Sequence, residues 1–102
     1  MTTKISKQQL IDILISWGSN KIDTEKLQHW MLDNFEPDEF IIGEGESDET
    51  VEAMHIVMNE YEIADEAKCI SNQFQLAINF INANEMNFLA ARNSFLQKAF
   101  CD

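Results

Sequence analysis

Residues 65–82, DEAKCISNQFQLAINFIN, decide the fold class. Ala67, Ile70, Phe74, Ala77, Ile78 and Ile81 recur there at the three- and four-residue steps that put side chains on one face of an α-helix. A strand would need a period of two, which is absent. The spacing therefore predicts a helix over 65–82, broken by Asn82, Ala83 and Asn84, which also supply a cap for the next helix. That helix is predicted over 85–99, with Phe88, Leu89, Arg92, Phe95, Leu96 and Ala99 in its stripe.

Toward the N-terminus the same pattern recurs with clearer start signals. Ser47 is a suitable N-cap for a helix carrying Asp48, Glu49 and Glu52 in its first turns, where carboxylates face the positive end of the helix dipole. Its expected buried face is Val51, Met54, Met58 and Tyr61. A first helix is predicted over 7–18, with Ser6 and Gln9 forming a capping box and Ile5 and Leu10 spaced as a hydrophobic staple. Leu10, Ile13, Leu14 and Trp17 make its stripe, Ile11 and Ile15 widen it, and Gly18, Ser19 and Asn20 end it. A second helix, capped by Asp23 or Thr24, carries Leu27, Trp30, Met31 and Leu32 to about Phe35, with Pro37 just beyond. The stretch 36–46 holds the proline, two glycines and acids around Phe40, Ile41 and Ile42. It is the one long non-helical segment, with room for a short extended or turn piece.

With 102 residues the chain is too short to divide its apolar side chains between two cores. At 45% hydrophobic it can still bury one, and with 3 glycines and 1 proline it favours helices over a sandwich or barrel. The expected architecture is all-α: a single-domain irregular bundle of about five helices, 1–102, with one long acidic loop between helices two and three. The N-terminal apolar stretch is interrupted by Asp12 and leads to no cleavage site. No apolar run approaches the roughly 20 residues of a membrane span. A cytoplasmic location is the expectation. Cys69 and Cys101 lack CxxC spacing and read as reduced, structural thiols.

Charge is distributed unevenly. Formal net charge is −11. Residues 1–32 carry 3 acids and 4 bases, residues 33–66 carry 13 acids and no base, and residues 67–102 carry 2 acids and 3 bases. Clustered Lys and Arg, which a nucleic-acid or anionic-membrane binder needs, are missing. Thirteen carboxylates in 34 residues repel one another within a Debye length of about 8 Å, a cost to folding that solubility alone does not require. A surface that attracts a basic partner accounts for it, with Phe35, Phe40, Ile41 and Ile42 as candidate apolar anchors.

Catalytic and metal-binding patterns are not met. His29 reads as a surface residue of the second helix. Glu52 and His55 form one Glu-x-x-His step where a di-metal bundle needs two. Residues 38–49 imitate a calcium loop at Asp38, Gly43, Glu46 and Glu49, but Phe40 and Ile42 stand where oxygen ligands are required. Glycine-rich phosphate loops and nucleophile elbows are missing, and Gly43 and Gly45 flank a glutamate that would repel phosphate. No enzyme activity, cofactor or metal is expected.

The opening, ISKQQLIDILISWGSNKIDTEKLQHWMLDNF over residues 5–35, has Trp17 at the end of one helix, a short basic-polar turn, Ile22, and Trp30 in the next helix. It resembles the helical hairpin at the start of several bacterial immunity proteins of contact-dependent growth inhibition and other polymorphic toxin systems. The resemblance covers about the first third of the chain and transfers no functional residue. It implies a role: such proteins bind and block a toxin domain, frequently a nuclease. The expectation is thus an immunity protein that forms a 1:1 complex with a basic toxin domain, an RNase foremost, and neutralises it by occlusion. Asp38, Glu39, Glu44, Glu46, Asp48, Glu49 and Glu52 are the candidate contacts, with Phe40 among them. A cytoplasmic chaperone or adaptor for a secreted or regulatory protein is the alternative from a different class. Because the helix dipole alone accounts for Asp48, Glu49 and Glu52, the acids of residues 38–46 discriminate better.

Overall fold

The computed structural model describes residues 3–35 and 40–100. In chain order it comprises β1 (Thr3–Ile5), α1 (Lys7–Gly18), α2 (Thr24–Asn34), β2 (Phe40–Ile42), α3 (Asp48–Ile63), α4 (Phe74–Ile81) and α5 (Phe88–Lys98), with two 3₁₀ turns, Glu66–Lys68 and Ser71–Gln73, ahead of α4. The result is an all-α bundle to which one short parallel pair of strands is added. No helix among the described residues is long and apolar enough to cross a membrane.

Helix starts follow local chemistry. The Ser6 hydroxyl accepts from Gln9 N–H, the Gln9 side chain accepts from Ser6 N–H, and Ile5 and Leu10 on either side are both buried. Asp23 caps α2 by accepting from Lys26 N–H at 2.8 Å, and Ser47 caps α3 by accepting from Thr50 N–H at 3.2 Å. Between α1 and α2 the chain reverses at Asn20, whose φ of 62° lies in the left-handed region. Gly18 serves a different purpose, since a Cβ there would overlap the Phe74 ring where α1 meets the start of α4.

The core is aromatic at its centre. Trp17, Tyr61, Phe80 and Phe95 are all buried; Tyr61 meets Trp17 edge-to-face at 5.2 Å and Phe95 at 5.6 Å, and Phe80 stacks on Phe95 at 5.8 Å. The Trp17 indole N–H donates to Thr24 Oγ1 at 3.0 Å, tying α1 to the first turn of α2. On α3 the buried side is Thr50, Ala53, Met54, Val57, Met58 and Tyr61, with Val51 half-buried at its margin. Thr50 satisfies its hydroxyl by donating to the Ile81 carbonyl at 3.3 Å.

The short extended piece expected between α2 and α3 is present, and two helix starts are corrected. The acidic segment between α2 and α3 contains β2, which pairs in parallel with β1 in the register Thr3↔Phe40, Lys4↔Ile41 and Ile5↔Ile42. This pairing buries Ile5 and Ile42 and turns Lys4 and Ile41 outward. Gly43 follows with φ 73° and donates to the Ile5 carbonyl at 2.9 Å. A side chain there would be strained in φ and would press on Met54 Sδ and Val51 Cγ2 at 3.0 and 3.1 Å. The helix expected over 65–82 is α-helical only as Phe74–Ile81. Ahead of it Cys69 and Ile70 are extended, because Ile70 N–H donates to the Ala99 carbonyl and Cys69 bridges to Phe100. Pairing with the chain end thus overrides the local helical pattern, and Ser71 and Asn72 are poor helix formers that do not resist it. The last helix likewise starts at Phe88: Asn84 Oδ1 accepts from Met86 and Asn87 N–H, Asn87 Oδ1 accepts from Asn84 N–H, and residues 85–87 form a turn.

Candidate acidic interface

Among the described residues, the acids of 33–66 fall on the last turn of α2 (Asp33), in the turn between β2 and α3, along α3 itself and, as Asp65 and Glu66, just past its end. Asp38 and Glu39 lie outside the described residues. Phe40 opens β2 by its backbone pairing with Thr3. Glu44 sits in the turn after Gly43, Glu46 N–H donates to the Gly43 carbonyl at 3.0 Å to close that turn, and both side chains are exposed. Asp48 and Glu52 are exposed on α3 and Glu49 is half-buried. These five acids are therefore brought together along the turn and the first two turns of α3. Of the apolar candidates, Ile42 belongs to the core, Phe35 packs edge-on against the His55 ring at 5.8 Å, and Ile41 remains outward at 39% exposure.

Glu44 differs from the others. Lys4 on β1 reaches it at 2.7 Å, in the one ion pair among the described residues. Both side chains are more than half exposed, at 61% and 55%, so the pair contributes at most about 1 kcal/mol. Its meaning is electrostatic bookkeeping of position: β1–β2 pairing carries a base from the N-terminus to the acidic segment that has none of its own.

A second group of carboxylates lies at the other end of α3, where Glu60 and Glu62 are half-buried and Asp65 and Glu66 are exposed at the start of the following 3₁₀ turn. Glu60 and Glu62 occupy its last turn, Asp65 and Glu66 follow at once, and that last turn has no basic residue. Negative charge is unfavourable there, since the exposed carbonyls already make the helix C-terminus electronegative. Those carbonyls are instead served by a neutral group: the Gln28 amide on α2 donates to Tyr61 O at 3.1 Å and Ala64 O at 2.6 Å. The local field registers on Cys69, whose thiol is pushed up to about 11 first by burial and then by Glu66 and Asp65. Tyr61, buried among rings with its hydroxyl unpaired among the described residues, is also raised, by burial and then by Cys69.

Glu60, Glu62, Asp65 and Glu66 were not singled out among the candidate contacts. A helix start expected at 65 already implies that α3 ends just after Glu60 and Glu62, but the density of acids, by which the candidates are chosen, makes no use of that boundary. His29 is exposed on α2, and His55 is half-buried against Phe35. Among the described residues no group of three His, Cys, Asp or Glu side chains is placed to share a metal ion. The arrangement therefore presents two acidic clusters, one on the turn and the first turns of α3 and one at its C-terminal end, separated by about 12 Å of helix, residues 53–59, that carries no carboxylate. No protein-family model matches the chain, and no curated protein and no solved structure matches it.

Proposed function

We propose that the chain is an immunity protein that binds a basic toxin domain one to one and neutralises it by covering a cationic surface with α3 and the turn before it. A nuclease, and an RNase foremost, is the toxin whose chemistry fits, because a site built from Lys, Arg and His to hold phosphate attracts clusters of carboxylates. No turnover is required of the chain in this role. It acts by occupancy.

The observation that carries the proposal is the set Glu60, Glu62, Asp65 and Glu66. Capping and dipole complementarity account for Asp48 and Glu49, and Lys4 accounts for Glu44. Asp65 and Glu66 open the next 3₁₀ turn, but Glu60 and Glu62 stand at the negative end of α3 with no base in that turn, and a cationic ligand supplies a reason to keep them. Cationic residues of the partner would find there a surface already enriched in potential by the helix dipole.

Co-expression tests the proposal directly. Cells making a basic nuclease domain encoded beside this chain should survive when the chain is present and die when it is absent, and the two proteins should co-purify in equal amounts at low salt. A harmless neighbour, or survival without any complex, would contradict it. Capture of unfolded or amphipathic segments in place of a folded domain would indicate an adaptor.

A further inference from the structure

The antiparallel α1–α2 hairpin bears two surface clefts of opposite electrostatic character. One, of about 340 Å³ at the turn, is lined by Asn20, Lys21, Ile22, Asp23 and Lys26 and is net cationic, with two lysines against one carboxylate. The other, of about 260 Å³ along the hairpin, is lined by Gln9, Asp12, Ile13, Ser16 and Trp30. Asp12 is the only ionisable side chain in its lining, and Trp30 is the half-exposed aromatic of a chain whose other tryptophan is buried.

We infer that this second groove receives an arginine side chain of the basic partner, so the inference rests on the proposed function and adds to it a contact on the α1–α2 hairpin, outside α3 and its preceding turn. Three features select that ligand. The half-buried Trp30 indole lines the groove, and tryptophan is the strongest of the aromatic partners for a cation. Asp12 and Ser16 stand four residues apart on the same face of α1, presenting a carboxylate and a hydroxyl oxygen to a fork of several N–H donors. Asp12 Oδ1 is held by Gln8 Nε2 at 2.8 Å, which fixes the carboxylate while Oδ2 has no hydrogen-bond partner among the described residues. An ammonium would satisfy the carboxylate but could not stack flat on the indole. An anion would be repelled by Asp12 and drawn to the Lys21–Lys26 cleft. The carboxylate therefore chooses a cation, and the indole beside it favours a planar guanidinium over an ammonium.

The indole N–H resonances report on this groove without knowledge of the partner. Titration of the whole chain with N-acetyl-arginine amide should shift the Trp30 indole signal saturably and leave that of Trp17, bonded to Thr24, in place. N-acetyl-lysine amide should bind about two- to five-fold more weakly, and Asp12→Asn, at an exposed position, should weaken arginine binding by a similar factor. A Trp30 signal that does not saturate, that responds equally to lysine, or that ignores Asp12→Asn overturns the inference. Failure of the proposed function would look different: the arginine probe would bind with Asp12 dependence while no basic protein partner formed a complex. Conversely, a partner complex that depends on the acids of α3 but is indifferent to Asp12→Asn and Trp30→Leu would retain the function and remove the groove from it.

Discussion

The two ends of α3 carry acids for opposite reasons. At the N-terminus Ser47 caps the helix, Asp48 and Glu49 face the positive end of its dipole, and charge and structure agree. At the C-terminus Glu60 and Glu62 face the negative end, Asp65 and Glu66 lead into the next 3₁₀ turn, and the orphan carbonyls are satisfied by an amide from another helix where a lysine would have served both needs. A carboxylate's contribution thus depends on where the helix places it. Density of charge along the chain does not distinguish the two sets; the direction of the helix does.

The largest effect on this contrast is expected from the amide that permits it. Gln28→Ala leaves two half-buried carbonyls at the electronegative end of α3 without donors, and should lower unfolding free energy by about 1–2 kcal/mol in urea titrations. Loss of stability below about 0.3 kcal/mol would mean that water serves those carbonyls equally well. Ser47→Ala tests the favourable end and should cost about 1 kcal/mol, the usual worth of an N-cap.

Alkaline pH gives a smaller, directional test beside the C-terminal end. Cys69 titrates near 9.0 when unfolded and is raised to about 11 by burial, Glu66 and Asp65. Between those values the unfolded chain releases the thiol proton and the folded chain keeps it, so stability is full below pH 9 and falls as pH rises toward 11. Tyr61, raised by burial, adds loss of the same sign at still higher pH. Unfolding at pH 8 and pH 10 should show the decline, and Cys69→Ser should reduce it; an unchanged slope would show that the thiol is not responsible. The smallest change is expected at the exposed pair: Lys4→Ala should alter stability by about 0.5 kcal/mol or less, while adding one more uncompensated acid to the partner surface.

Local signals made α1, α2 and α3 legible in the sequence, because each begins with a side chain that accepts from its own first turn. The β1–β2 pair was hidden: strands of three residues separated by a helical hairpin leave no periodic trace, and their pairing is settled by burial of Ile5 and Ile42. Residues 65–73 misled for a related reason, since Ala67 and Ile70 keep helical spacing although Ile70 is committed to Ala99 across the fold. The candidate acids were read by local density, which found the turn and the start of α3. It could not show that Lys4 neutralises Glu44, or that α3 ends so soon after Glu60 and Glu62 that their charge works against it.

The central claim is that the C-terminal acids are kept for a partner at a cost to the fold. The most direct measurement pairs unfolding free energy with the association rate toward the basic toxin domain for the variant Glu60→Gln, Glu62→Gln, Asp65→Asn, Glu66→Gln. Removing these charges, two of them at the negative end of α3, should raise stability by about 1 kcal/mol, slow association by about ten-fold and flatten its salt dependence. A variant that is less stable, or one that is more stable yet binds at the original rate with the original salt slope, would contradict the account.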